Sequence, residues 1–66
     1  MTAMVNGEVC DLPYGSTIGA LLRLLGMTGT GVAVAQNDSV VRRTQFDSQP
    51  IAEGDRIEII RAVAGG

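Results

Sequence analysis

Apolar residues follow two rhythms along this chain, and the switches between them mark its elements. Ala3-Met4-Val5 is a short apolar run, and Glu8-Val9-Cys10-Asp11-Leu12 alternates after it. A period of two places Glu8, Cys10 and Leu12 on one strand face, with Val9 and Asp11 on the other. Asn6-Gly7 lies between the two runs. That pair predicts a two-residue hairpin, because a type I′ turn needs positive φ at both central positions. Pro13 and Gly15 punctuate the end of the hairpin.

The rhythm then changes. Ile18, Leu21, Leu22 and Leu25 recur at i, i+3, i+4 and i+7, which is one apolar stripe of an α-helix. Ser16 or Thr17 supplies the N-cap by accepting a bond from an orphan N–H. Gly26 stands where a left-handed residue would stop the helix. At two to three turns the helix is too short to persist alone in water. It must be held by packing its leucines on a sheet.

After the glycine-rich loop from Met27 to Gly31, the segment Gly31-Val32-Ala33-Val34-Ala35-Gln36 reads as a strand apolar on both faces, hence central. Asn37-Asp38-Ser39 is a turn and Val40-Val41-Arg42 a short strand. Arg43 to Gln49 is irregular chain with a helical turn anchored by Phe46. Glu53-Gly54-Asp55 turns into a last strand, Arg56-Ile57-Glu58-Ile59-Ile60. Here Ile57 and Ile59 point inward, and Arg56, Glu58 and Ile60 outward. The order β-β-α-β-β-β predicts an α+β domain with a sheet of four to five strands and one helix packed on one face. The first and last strands are expected to pair in parallel at its centre. Residues 1–62 form the domain, and 63–66 a flexible tail.

Composition narrows the classes. At 66 residues with one cysteine and no histidine, neither an internal disulfide nor a structural zinc is available. Stability must come from aliphatic packing, with a thin margin at this size. Five arginines, no lysine and seven acids give a net charge of −2. Without a basic stripe interleaved with aromatics, nucleic acid is not an expected partner. No apolar stretch reaches the roughly 20 residues of a membrane helix, so no membrane partner is expected either. Met1-Thr2-Ala3 opens no signal-peptide pattern. With a lone thiol, which fits a reducing compartment, the cytoplasm is the expected location.

The search for catalytic chemistry returns little. With no histidine, the usual general base is missing. The carboxylates are scattered over turns and strand faces, and Cys10 reads as a small hydrophobe with no base beside it. Gly26-x-x-Gly29-x-Gly31 precedes a strand and opens no helix, the reverse of phosphate-cradling loops. No catalytic residue, metal or bound cofactor is expected.

What remains is Val63-Ala64-Gly65-Gly66. Extended, these four residues reach about 13 Å, and glycines without Cβ atoms can thread a narrow tunnel. A carboxylate is a poor electrophile, so a partner must activate it before sulfur or an amine can attack its carbonyl. The absence of lysine fits this, since no side-chain amine on the chain competes for the activated terminus.

The chain as a whole resembles the sulfur carrier proteins of thiamine biosynthesis, which have the ubiquitin-like β-grasp fold. The resemblance is carried by Val5-Asn6-Gly7-Glu8, Thr17-Ile18 with Leu21-Leu22, and Gly31-Val32-Ala33-Val34-Ala35-Gln36-Asn37. It continues through Val40-Val41-Arg42-Arg43, Gly54-Asp55-Arg56-Ile57-Glu58-Ile59 and Ala62-Val63-Ala64-Gly65-Gly66. Where the family often has Pro after the paired valines and Trp a little further on, this chain has Arg42 and Phe46. The resemblance implies a mixed sheet and an ATP-dependent adenylating enzyme that activates Gly66 and consumes the ATP. Sulfur drawn from cysteine through a desulfurase then yields a C-terminal thiocarboxylate, which a thiazole synthase uses. Gly65, Ala64 and Val63 would thread the partners' sites. The outward face of the last strand, Ile60 and Arg61 with Ala62, would dock, with Arg42 and Arg43 as further candidates. The small subunit of molybdopterin synthase, a carrier for another sulfur metabolite, a lysine-conjugated modifier and a plain interaction module are the alternative readings.

Overall fold

The computed structural model describes residues 1–27 and 31–61. Strands β1 (Thr2–Val5) and β2 (Glu8–Asp11) form the first hairpin, followed by helix α1 (Ile18–Leu24). Strands β3 (Val32–Gln36) and β4 (Ser39–Val41) form a second hairpin. A 3-10 turn (Arg43–Gln45) then leads to β5 (Arg56–Arg61). The sheet order is β2-β1-β5-β3-β4. The centre is therefore β5, pairing in parallel with β1 and antiparallel with β3. This is the β-grasp arrangement, a mixed sheet holding one helix against a single face.

Local rules account for most boundaries. Asn6 and Gly7 have φ of 50° and 83°, as the hairpin turn requires. The second hairpin uses the same device with Asn37 and Asp38, at 52° and 70°. Both are residue types whose short polar side chains tolerate the left-handed region. Of the two cap candidates it is Thr17 that acts, its hydroxyl accepting from the Ala20 N–H at 3.1 Å. At the other end, the Gly26 N–H donates to the Arg23 carbonyl and the Met27 N–H to the Leu22 carbonyl. With Gly26 at φ 71°, this closes the helix as a Schellman motif.

One face of the sheet is covered. Ala3, Val5, Val34, Val41, Ile57 and Ile59 meet Ile18, Leu21 and Leu22 of the helix in one buried cluster, with Leu12 and Ile51 at its margins. Cys10 and Phe46 pack partly against it, as their sequence positions predict. Three expectations need correction. Leu25, the fourth member of the helical stripe, lies past the last helical residue and stays exposed, because the chain turns away at Gly26. Strand β3 is interior, but only one of its faces is buried. Val34 and Gln36 point to the helix side, while Ala33 lies exposed on the other. Arg42 also falls outside β4 and starts the 3-10 turn, its N–H bonded to the Gln45 side chain.

Gln36 is the polar residue inside this face, and its amide is fully used. Its Nε2 donates to the Pro50 carbonyl at 3.0 Å and to Asp55 at 2.7 Å, while its Oε1 accepts from Gln49 at 2.9 Å. Asp55 is the hub of the adjoining turn, also accepting from the Asn37 side chain and the Ala52 N–H. Burial pulls the Asp55 carboxyl upward, but the donors from Ala52, Asn37 and Gln36 outweigh it and hold it below its ordinary value. Among the described residues, no buried side-chain polar atom lacks a partner. The network ties the irregular 43–55 segment to β3, which a period-based reading of sequence does not see.

Candidate functional site

Among the described residues, the sheet face opposite the helix is left uncovered. Strand alternation puts Met4, Val9, Ala33, Ala35, Val40, Glu58 and Ile60 there. Several are large and exposed: Val40 is 81% accessible, Val9 70% and Ile60 69%. Register makes neighbours of them. Ala33 pairs with Ile60, and Val40, Ala35 and Glu58 share one row. They outline a shallow hollow of about 150 Å³ around Glu58. That is smaller than the roughly 300–1,000 Å³ of small-molecule pockets, and it suits a protein surface better than a metabolite. A larger cleft of about 530 Å³ lies by the Gln36–Asp55 network. Gln36, Asn37, Gln49 and Asp55 of its lining are already joined to one another by hydrogen bonds.

The strand directions decide which residues gather at the end where the chain leaves the sheet. Strands β1, β4 and β5 all run the same way, because β1 is parallel to β5 while β3 is antiparallel to both β4 and β5. The Asn6-Gly7 turn, the Val41-to-Arg42 exit and the Ile60-Arg61 terminus of β5 therefore lie at one end. The docking candidates Ile60, Arg61, Arg42 and Arg43 are thus brought together, all exposed. Arg61 departs from expectation in one respect. Following Ile60 by one residue, it alternates to the opposite side of the strand and does not share the open apolar face. Ala62, Val63, Ala64, Gly65 and Gly66 lie outside the described residues.

Charge is divided between the ends. Arg42, Arg43 and Arg61 make no ion pair among the described residues, whereas Arg23 pairs with Asp47 and Arg56 with Asp38. Asp38, Glu53 and Asp55 cluster at the far end, in the turns before β4 and β5. There the Thr2 hydroxyl and N–H donate to Glu53 and hold its carboxyl below the ordinary range. The end at which β5 finishes is thus the arginine-rich one.

Sequence reasoning missed Asn6 as more than a turn residue. Its side-chain Oδ1 accepts from the Ile59 N–H at 2.8 Å, and its Nδ2 donates to the Ile59 carbonyl at 3.3 Å. The only available signal was the Asn at the first turn position, which the turn alone already explains.

Comparison with known proteins agrees with this geometry. The family model described as "ThiS family" matches residues 3–66. The chain is 30% identical to the sulfur carrier protein ThiS of Escherichia coli, over the full length of both. It is 32% identical over its whole length to a thiazole synthase of Paramagnetospirillum magneticum, but spans only 20% of that longer protein. The crystal structure of a thiamine biosynthesis protein, ThiS, from Geobacter metallireducens superposes with a TM-score of 0.83 at 28% identity, covering all of both chains. With the fold and the family match in accord, the chain belongs to the ThiS family.

Proposed function

We propose that the chain is a sulfur carrier of thiamine biosynthesis, a protein cosubstrate whose reacting group is the carboxylate of Gly66. The observation that carries this reading is the family match running beyond β5 to residue 66, through Val63-Ala64-Gly65-Gly66. The folded part then serves as a handle. An activating enzyme binds it, and a carboxylate oxygen of Gly66 attacks the α-phosphorus of ATP, expelling pyrophosphate. Sulfur drawn from cysteine as a desulfurase persulfide, and reduced to sulfide by a thiol that ends as a disulfide, attacks the carbonyl carbon of the acyl-adenylate. AMP leaves, and a thiocarboxylate remains. A thiazole synthase accepts that sulfur. The likeness of the whole chain to one-fifth of a thiazole synthase polypeptide supports this partner.

The carrier's own contribution is binding and presentation. Desolvating the open face at Ile60, Ala33 and Val40 supplies affinity at roughly 25 cal/mol per Å² of apolar surface covered. Arg42, Arg43 and Arg61 at the exit end orient the encounter with an acidic rim around the partner's tunnel. The glycines fit a passage too narrow for side chains. No cofactor is held by the carrier, and ATP is consumed by its partner.

The test is incubation of the chain with an adenylating enzyme, ATP and a sulfide donor, followed by intact-mass measurement. Replacement of one oxygen by sulfur at Gly66 supports the reading. Formation of isopeptide-linked larger species would favour a protein modifier instead.

A further inference from the structure

We infer that Asn6 is a positioning residue for the carrier reaction, holding the last residues of β5, up to Arg61, in line on the sheet. The inference rests on the functional reading above and adds a residue to it.

The parallel ladder between β1 and β5 is short. It comprises Met4 opposite Arg56 and Val5 opposite Ile57, with the Met4 N–H donating to Asp55 and the Asn6 N–H to Ile57, both at 2.9 Å. Residues 55, 57 and 59 of β5 thus aim their backbone groups toward β1, and 56, 58 and 60 aim theirs toward β3. Continuing the ladder would require one more β1 residue opposite Ile59. The backbone cannot supply it, because Asn6 turns into the hairpin at φ 50°. The Asn6 side chain supplies it instead. A primary amide carries one acceptor and two donors in a plane, as a peptide group carries one of each. It satisfies both the N–H and the C=O of Ile59. The Ile59 side chain is buried at 7% accessibility, where an unpaired backbone N–H would be costly. Beyond Ile59 the next β1-side group belongs to Arg61, so among the described residues the Asn6 amide is the final hold on that edge. The opposite edge stays paired to β3 through Ala33 and Val32.

Without the amide, the Ile59–Arg61 end is held on one side only and frays toward open conformers. The activating enzyme then finds a smaller fraction of carriers with the end of β5 in its docking arrangement. Apparent KM for the carrier rises as the inverse of that fraction, roughly three- to tenfold, with kcat unchanged.

Two variants separate positioning from folding. Asn6→Gly keeps the left-handed turn and removes the amide. Asn6→Asp keeps an acceptor for the Ile59 N–H but presents only oxygens to the Ile59 carbonyl. The readouts are adenylation kinetics with the carrier as varied substrate, and amide hydrogen exchange residue by residue. The expected result is a raised KM for both variants, with exchange faster at Ile59 and at Ile60, which pairs with Ala33, and unchanged at Val34 and Ile57. A wild-type KM for Asn6→Gly overturns the inference, as does exchange accelerated equally at all four amides. If the wild-type chain is not adenylated at all, the functional reading fails as well, which distinguishes the two failures.

Discussion

The two faces of one sheet are built from the same kinds of residue and do opposite things. Ile57 and Ile60 lie three residues apart on the same strand. Ile57 is completely buried under the helix, while Ile60 is 69% accessible. The strand's period of two sends residues an odd number apart to opposite faces. The covered face spends its aliphatic surface on folding. The open face keeps a comparable surface of Ile60, Val40, Val9 and Ala33 in water, where it adds nothing to the fold. In a domain with so little surface to bury, that is a clear division of labour: one face holds the protein together, and the other is available to partners.

The sharpest way to break the comparison is to place the same charge on each face. Ile57→Asp puts a carboxylate among buried aliphatics with no partner, at a cost of several kcal/mol. Total stability for a chain this size is about 3–10 kcal/mol, so circular dichroism should find Ile57→Asp largely unfolded at 25 °C. Leu22→Ala, on the helix above the same face, should lower the unfolding free energy by about 2–5 kcal/mol in urea titration. A loss under about 0.5 kcal/mol would mean that the helix does not seal the core.

Ile60→Asp is the matching change on the open face. Urea titration should show a shift of no more than about 1 kcal/mol, set by strand propensity alone. Adenylation assays should show a raised KM. A folded variant with undiminished transfer would remove the open face from the docking surface.

The smallest effect concerns neither face but the hub that joins the 43–55 segment to the sheet. The Asp55 carboxyl titrates below its ordinary value in the folded chain. Its contribution is therefore fully present above the unfolded pKa, near 3.9, and is lost as pH falls through the lower folded value. Asp55→Asn should be less stable than wild type at neutral pH. The difference, followed by thermal melts, should narrow as pH drops below about 4. A difference constant across that range would assign no stabilising role to the charge.

Where the determinants are local, the sequence was readable. The Asn6-Gly7 turn, the Thr17 cap, the Gly26 stop and the alternation of β5 each follow from a few adjacent residues, and they fix element types and order. Parallel pairing of the first and last strands followed from placing a single helix between hairpin and strand. The interactions that escaped are those whose partners lie far apart in the chain. Gln36 looked like the polar end of an apolar strand, yet it is buried because Gln49, Pro50 and Asp55 return to meet it. Asn6 looked complete as a turn residue, and its second role depends on Ile59, 53 positions away. Leu25 kept the helical period after the helix had ended, since a cap overrides periodicity. Of the site, Ile60 was legible from alternation. The gathering of Arg42, Arg43 and Arg61 at one end required knowledge of strand directions.

Whether sulfur rides on the main-chain carboxylate, as proposed, is read from the mass of the C-terminal peptide after the coupled reaction. The expected product is a peptide ending in Gly66 with one oxygen exchanged for sulfur, and a chain lacking Gly66 should give no such product despite an unchanged melting temperature. Sulfur found on Cys10, with the terminal peptide unaltered, would contradict it.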